Sequence, residues 1–197
     1  MRSGQWPSQW KREFGTPIPK EKPPLESEEQ LRVISITNKL SMTSEKFLLK
    51  WIWPYVSKKL DRDQFGGMSD NSVAHYLIEV ANAILYNLDL QTPLTCIMTM
   101  IDFSKGFNRI DHVVLVKEMF DLGVPGWILR ILVSYLKDRK LIIRFKDGLS
   151  EAAELPGGVG QGTLMGMWFF LFQINFFSSG QEGDTNIAEK ITIKTNR

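Results

Sequence analysis

The stretch "LRVISIT" at residues 31–37 alternates branched apolar with polar side chains, the period of a half-buried strand. Downstream the period lengthens. "EKFLLKWIWPYVSKK" follows Thr43 and Ser44, either of which caps a helix, and Pro54 within it predicts a kink or an early stop. Val73, Tyr76, Leu77, Val80, Ile84 and Leu88 then recur at helical spacing behind a cap at Ser69 or Asp70. "LTCIMTMID" is apolar on both alternating faces, as in a central strand covered on both sides. Residues 110–122 predict a helix stopped by Gly123, and "VPGWILRILVSYLKDR" a second one, with Pro125 at its start and Ile128, Leu132 and Tyr135 on one face. "KLIIRFKDGLSEAAEL" predicts two short strands joined at Asp147-Gly148. A glycine-rich loop, "PGGVGQGTLMG", opens the apolar helical run "GMWFFLFQINFF", and the tail holds one weak alternating strand. Residues 1 to about 30 are rich in Pro, Lys and Glu without a period and predict an extended arm. This mixed order of helices and strands is that of an α+β fold, a sheet backed by helices.

Composition narrows the classes. The chain is 197 residues long and 43% hydrophobic, enough to bury a core, while a net charge of +2 is too weak by itself to call for a nucleic-acid partner. Cys96, the single cysteine, excludes an internal disulfide and a cysteine-rich zinc site, and reads as a core residue. "MRSGQWPSQWKRE" lacks the apolar core of a secretory signal, and residues 166–177 are too short to span a bilayer and carry Gln173 and Asn175. An intracellular protein without a membrane segment is the expectation. His75 and His112 lack ligand partners at metal spacing and read as helix-surface residues. Basic residues gather at Lys11, Arg12, Lys20 and Lys22, and at Lys137, Arg139, Lys140, Arg144 and Lys146. Such runs are solvated faces or surfaces that track a phosphate backbone.

The candidate chemistry centres on "TMIDFSKGFNRIDH". Asp102 ends an apolar strand, where it serves either as a turn former or as an oxygen ligand for a hard cation such as Mg²⁺. The turn after it, Ser104-Lys105-Gly106, can offer backbone N–H groups to a phosphate, with Phe107 as a wall. These parts suit phosphoryl or nucleotidyl transfer, which rests on positioning and charge neutralisation and commonly uses two metal ions. The loop at 156–166 permits close backbone approach but lacks the ending of a Walker loop, and Gln161 is its one side-chain amide.

Taken in order, "LRVISIT", "DRDQFGG", "MIDFSKGFNRIDH", "LGVP…ILVSYLKDRK" and "LPGGVGQGTLMG" resemble the reverse transcriptase domain of non-LTR (LINE-type) retrotransposons, over residues 6–175 or thereabouts. The resemblance implies a right-hand polymerase fold: an extended arm at residues 1–30, fingers at 31–92, and a partial palm with a ferredoxin-like sheet at 93–197, without a thumb. It implies that Asp102 is the first catalytic aspartate and a ligand of both Mg²⁺ ions, with the Phe103 carbonyl a further metal ligand. Lys105 and Gly106 would meet the incoming triphosphate, Phe107 would disfavour a ribose 2′-OH, and Gln161 and Gly162 would lie against nucleotide and template. Arg32 and Lys20 match triphosphate-contacting positions of the fingers, and Gln64, Phe65 and Gly66 a template-binding segment. The implied partners are an RNA template, a DNA primer and deoxynucleoside triphosphates.

Three departures qualify this. Asn108 stands where the family usually has a second acid, and Gly160 where it commonly has proline before Gln-Gly. The Tyr/Phe-x-Asp-Asp hairpin that supplies the family's remaining metal carboxylates is absent up to Arg197, so the expectation is a fragment that lacks activity as this isolated chain. A nucleic-acid-binding module derived from such an enzyme, without catalysis, is the alternative.

Overall fold

The computed structural model describes residues 4–20, 30–61, 64–68, 71–90, 96–97, 103, 105–179 and 194–195. They form a mixed α+β architecture with five α-helices, and the chain divides into two units, Met1–Lys59 with Lys105–Phe170, and Leu60–Ser104 with Leu171–Arg197.

In the first unit, strands β1 (Arg12–Pro19), β2 (Leu31–Ile36) and β4 (Lys140–Phe145) build the sheet, with β1 central: it runs antiparallel to β2 and parallel to β4. Much of the expected N-terminal arm is therefore sheet. Prolines 17 and 19 are tolerated because of register. Lys20 donates its N–H to the Gln30 carbonyl, so the even positions of β1 bond β2 and the odd ones face β4. The β4 pairing ends at Gly15↔Ile143, so the missing N–H groups of Pro17 and Pro19 leave no ladder bond unmade.

The two faces of this sheet differ. Glu13, Gly15 and Ser35 point into the protein and are buried. The other face carries Arg12, Arg32, Lys140 and Arg144 among Phe14, Ile34, Ile36 and Ile142, all half-buried or exposed. The Arg144 guanidinium lies 5.0 Å from the Phe14 ring centroid. β5 (Gly148–Leu149) and β6 (Ala153–Glu154) extend β4. The hairpin turn is Lys146-Asp147, one residue earlier than expected, because Phe145 pairs with Gly148 and Lys146 takes the positive φ of 53°.

Helices α1 (Lys39–Val56), α3 (His112–Asp121), α4 (Gly126–Leu136) and the start of α5 (Leu164–Ser179) supply the buried side chains of this unit: Leu48, Ile52, Leu115, Met119, Ile128, Leu132, Met165 and Phe169. α1 begins earlier than its apolar run suggested, because the Asn38 side chain caps Leu40 N–H at 2.8 Å. It also continues through Pro54, so the expected stop does not occur there. Asp111 caps α3 through Val113 and Val114, and Gly123, at φ 81°, ends it. Trp6 fills the core edge-on to Tyr135 at 4.9 Å.

Glu118 on α3 has a carboxyl oxygen buried without a hydrogen-bond partner among the described residues. Burial, and then Asp121 nearby, push its pKa from about 4.5 up to about 7. The fold thus favours the neutral acid, and the contribution of Glu118 to stability is full below about 4.5 and is lost as pH rises through about 7. Urea unfolding of Glu118→Gln should show a shallower decline across that window than the native chain; equal slopes would assign the dependence to another group.

In the second unit, α2 (Val73–Leu88) is capped by Ser72, later than the expected Ser69 or Asp70, which lie outside the described residues. Of its predicted apolar stripe, Tyr76, Val80 and Ile84 are half-buried, whereas Val73, Leu77 and Leu88 are exposed. β3 (Cys96–Ile97) pairs antiparallel with β7 (Lys194–Thr195), the weak strand predicted in the tail. The Asn175 side chain accepts the Asp61 N–H at 2.5 Å. Among the described residues, no helix is long and apolar enough to cross a membrane.

Candidate functional site

The glycine-rich segment 157–163 joins two parts of the first unit. At one end, Gly158 N–H donates to the Ile110 carbonyl at 2.9 Å and Val159 N–H to the Phe107 carbonyl at 2.9 Å. At the other, Ser35 N–H, on the outer edge of β2, donates to the Gln161 carbonyl at 2.7 Å. The loop therefore meets the outer edge of β2 at Ser35 while holding the turn that contains Phe107. Gly158, at φ 70°, sits so close to Asn108 that a Cβ would lie 2.8 Å from its Cα. His112 adds a side-chain bond, its Nε2 to the Gly158 carbonyl at 2.6 Å, so it is not the surface residue that the sequence suggested.

Phe107, Gln161 and Gly162 belong to this bonded segment, whereas Arg32 and Lys20 lie along the sheet. Phe107 is half-buried and stacks on Phe170 with ring centroids 4.7 Å apart. Lys105 is exposed and takes a left-handed conformation, φ 56°, ahead of the tight turn Gly106–Arg109. Such a backbone is strained for a side-chain-bearing residue and recurs at ligand sites. Arg32 is exposed on the solvent-facing side of β2, three positions before Ser35, and Lys20 is exposed at the end of β1. Gly162 packs on the β2 backbone, where a Cβ would lie 3.0 Å from the Ser35 carbonyl oxygen.

The remaining predicted residues belong to the second unit or lie outside the described residues. Asp102 lies outside the described residues. Phe103 is half-buried and belongs to the second unit, as do Gln64, Phe65 and Gly66. Gln64 closes a turn through its side-chain N–H to the Gly66 carbonyl at 3.1 Å, and Phe65 packs on Tyr76 at 5.7 Å. No group of three or more His, Cys, Asp or Glu side chains suited to a metal gathers among the described residues.

Sequence reasoning missed the charged layer under the loop. Arg139 was placed in a surface basic run, yet it is 2% exposed and ion-paired with Glu13, its Nε donating to Glu13 Oε1 at 2.6 Å. Its guanidinium lies 4.3 Å from the Tyr135 ring centroid and donates to the Tyr135 carbonyl at 3.3 Å. Burial alone would lower the Arg139 pKa, but Tyr135, Glu13 and Glu45 around it raise it. Glu45, also buried, accepts the Tyr135 hydroxyl at 3.4 Å and the Met165 N–H at 3.3 Å, and burial holds its carboxyl above the ordinary range. Thr163 donates its hydroxyl to the Gly160 carbonyl at 3.0 Å and accepts the Gly166 N–H at 3.0 Å. Asp138, the residue before Arg139, has a left-handed φ of 56° between α4 and β4.

The family described as reverse transcriptase (RNA-dependent DNA polymerase) matches residues 18–187. The chain is also 28% identical over 168 residues to a probable RNA-directed DNA polymerase from transposon BS of Drosophila melanogaster, covering 84% of this chain and 18% of the fly protein. A probable RNA-directed DNA polymerase from transposon X-element of the same fly is 25% identical over the same shares. The chain thus spans less than a fifth of the length of these relatives.

Proposed function

This chain belongs to the reverse transcriptase (RNA-dependent DNA polymerase) family, and we propose that it is the part of a retrotransposon polymerase that grips the incoming deoxynucleoside triphosphate and the template–primer. In this reading Phe107 screens against a ribose 2′-OH, and Gln161 and Gly162 lie against nucleotide and template. Arg32, Lys20 and the backbone N–H groups at Lys105 and Gly106 neutralise the triphosphate. Gln64, Phe65 and Gly66 face the template strand. The observation that carries this reading is the pair of loop bonds, Val159 N–H to Phe107 and Ser35 N–H to Gln161, which holds aromatic, amide and basic β2 strand together.

The solvent-facing side of the sheet supports the same reading, since Arg12, Arg32, Lys140 and Arg144 offer cations beside apolar side chains. Mg²⁺, which would supply charge neutralisation in transfer, is assigned in this reading to Asp102 and the Phe103 carbonyl. The described residues alone do not assemble its donor set. What they do is bind and orient.

A salt titration of binding to an RNA–DNA hybrid tests the proposal. Log affinity should fall linearly with log salt, by roughly 0.7–0.9 for each phosphate contacted. Arg32→Ala and Arg144→Ala should each reduce that slope by about one contact. Absence of binding at low salt would overturn the reading. Primer extension with Mg²⁺, against an Asp102→Ala control, separates an acting polymerase from a module that only binds.

A further inference from the structure

The buried charges beneath the 157–163 loop have no part in the binding roles given above. Glu13 comes from β1, Arg139 from the residue before β4, Tyr135 from α4 and Glu45 from α1, and each is at most 2% exposed. Enclosing two carboxylates and a guanidinium is unfavourable unless each is tightly partnered, so their placement asks for a reason.

Geometry supplies one. Arg139 engages Oε1 of Glu13, while Oε2 has no hydrogen-bond partner among the described residues. That free oxygen lies against Gly160: a Cβ added there would overlap Oε2 and come within 2.8 Å of Ser35 Oγ. Gly160 is in turn fixed from above, its carbonyl accepting Thr163 N–H at 3.2 Å and the Thr163 hydroxyl at 3.0 Å. The next residue, Gln161, is held sideways by Ser35. Beyond the turn, Met165 N–H bonds Glu45. The residue before Gln161 therefore has room for hydrogen only. This accounts for glycine where the family resemblance leads to proline, because the ring would need the volume that the Glu13 carboxylate fills.

We propose that Glu13 and Arg139 are a positioning pair for the Gln161-Gly162 turn. The carboxylate, fixed by Arg139, is the floor on which Gly160 rests, and it sets where Gln161 and Gly162 stand relative to nucleotide and template. Neither member of the pair touches the ligand. The inference rests on the binding role proposed above, but the position of the turn can be read without any ligand.

Hydrogen exchange at the Ser35 amide, which donates to Gln161, reports that position. In the full chain carrying Gly160→Ala, Ser35 exchange should quicken by about tenfold or more while the Leu132 amide in α4 stays unchanged, and hybrid affinity should fall by roughly tenfold. In a Glu13→Ala/Arg139→Met background the overlap with the carboxylate is gone and only the tighter contact with Ser35 remains, so adding Gly160→Ala should change both readouts much less than it does in the native chain. Unchanged Ser35 exchange in Gly160→Ala, or an equal acceleration in the double-variant background, would sink the proposal. Quickened exchange with undiminished hybrid affinity would also defeat it, since the turn would then not govern binding. If the native chain binds no hybrid, the binding role falls, and the exchange comparison still decides whether the pair positions the turn.

Discussion

Replacing Arg139 by methionine is expected to lower the unfolding free energy by about 3–5 kcal/mol, the range for stripping one partner from a buried ion pair. The size of the effect comes from what remains. Methionine keeps most of the aliphatic volume, and the lost contact with the Tyr135 ring accounts for at most about 2 kcal/mol. The lost bond to the Tyr135 carbonyl adds about 1 kcal/mol. The rest is Glu13, fully buried and left without a counter-charge. Replacing both, as Glu13→Leu/Arg139→Met, should recover in urea denaturation the share of the loss that the orphaned Glu13 carboxylate causes, because of the three charged groups only Glu45 then stays in the interior. A double variant as unstable as the single one would show that packing, and not the orphaned carboxylate, sets the cost.

The same pair marks where the sequence stopped being legible. Period and turn chemistry located β2 to within a residue, the apolar helix α5, the Gly123 stop and Pro125 at the start of α4. Those features are local, each decided by its neighbours along the chain. β1 was read as part of an arm because two prolines and flanking charges resemble a linker, and its place at the centre of the sheet depends on a register with β2 and β4 that no local pattern encodes. Arg139 was read as surface for a related reason. Its neighbours Lys137 and Asp138 are exposed, and the partner that holds its guanidinium inside is a glutamate 126 positions away.

For the candidate site, the resemblance gave Phe107 and the Gln161-Gly162 turn roles at one nucleotide, and in the structure the loop that carries Gln161 bonds the Phe107 carbonyl through Val159. The loop is held by residues of the ordered motifs to which no role was assigned: Ser35, Val159 and His112 act with backbone groups or a single imidazole nitrogen. Backbone bonding is nearly independent of side-chain identity, which is why those ties left no trace in the sequence.

Gly158→Ala is expected to break that segment at a cost of about 2–4 kcal/mol. The left-handed φ of 70° contributes about 1 kcal/mol for a non-glycine residue. Overpacking adds about 1–3 kcal/mol, because the new methyl would meet the Asn108 Cα and the Phe107 and Asn108 carbonyl oxygens, backbone atoms that cannot swing aside as a flexible side chain does. Gly157→Ala is the matched control. Its Cβ would lie 3.7 Å from the Ile110 carbonyl oxygen, an ordinary contact, and its effect should stay within about 0.5 kcal/mol. Urea midpoints compare the two directly. Relieving the clash moves the loop off the bonds that Gly158 and Val159 make to Ile110 and Phe107, so Gly158→Ala should also weaken hybrid binding where Gly157→Ala does not. Equal stability of the two variants would mean that the loop is not seated on the 107–110 segment, and the proximity of Phe107 to Gln161, on which the binding role depends, would lose its support.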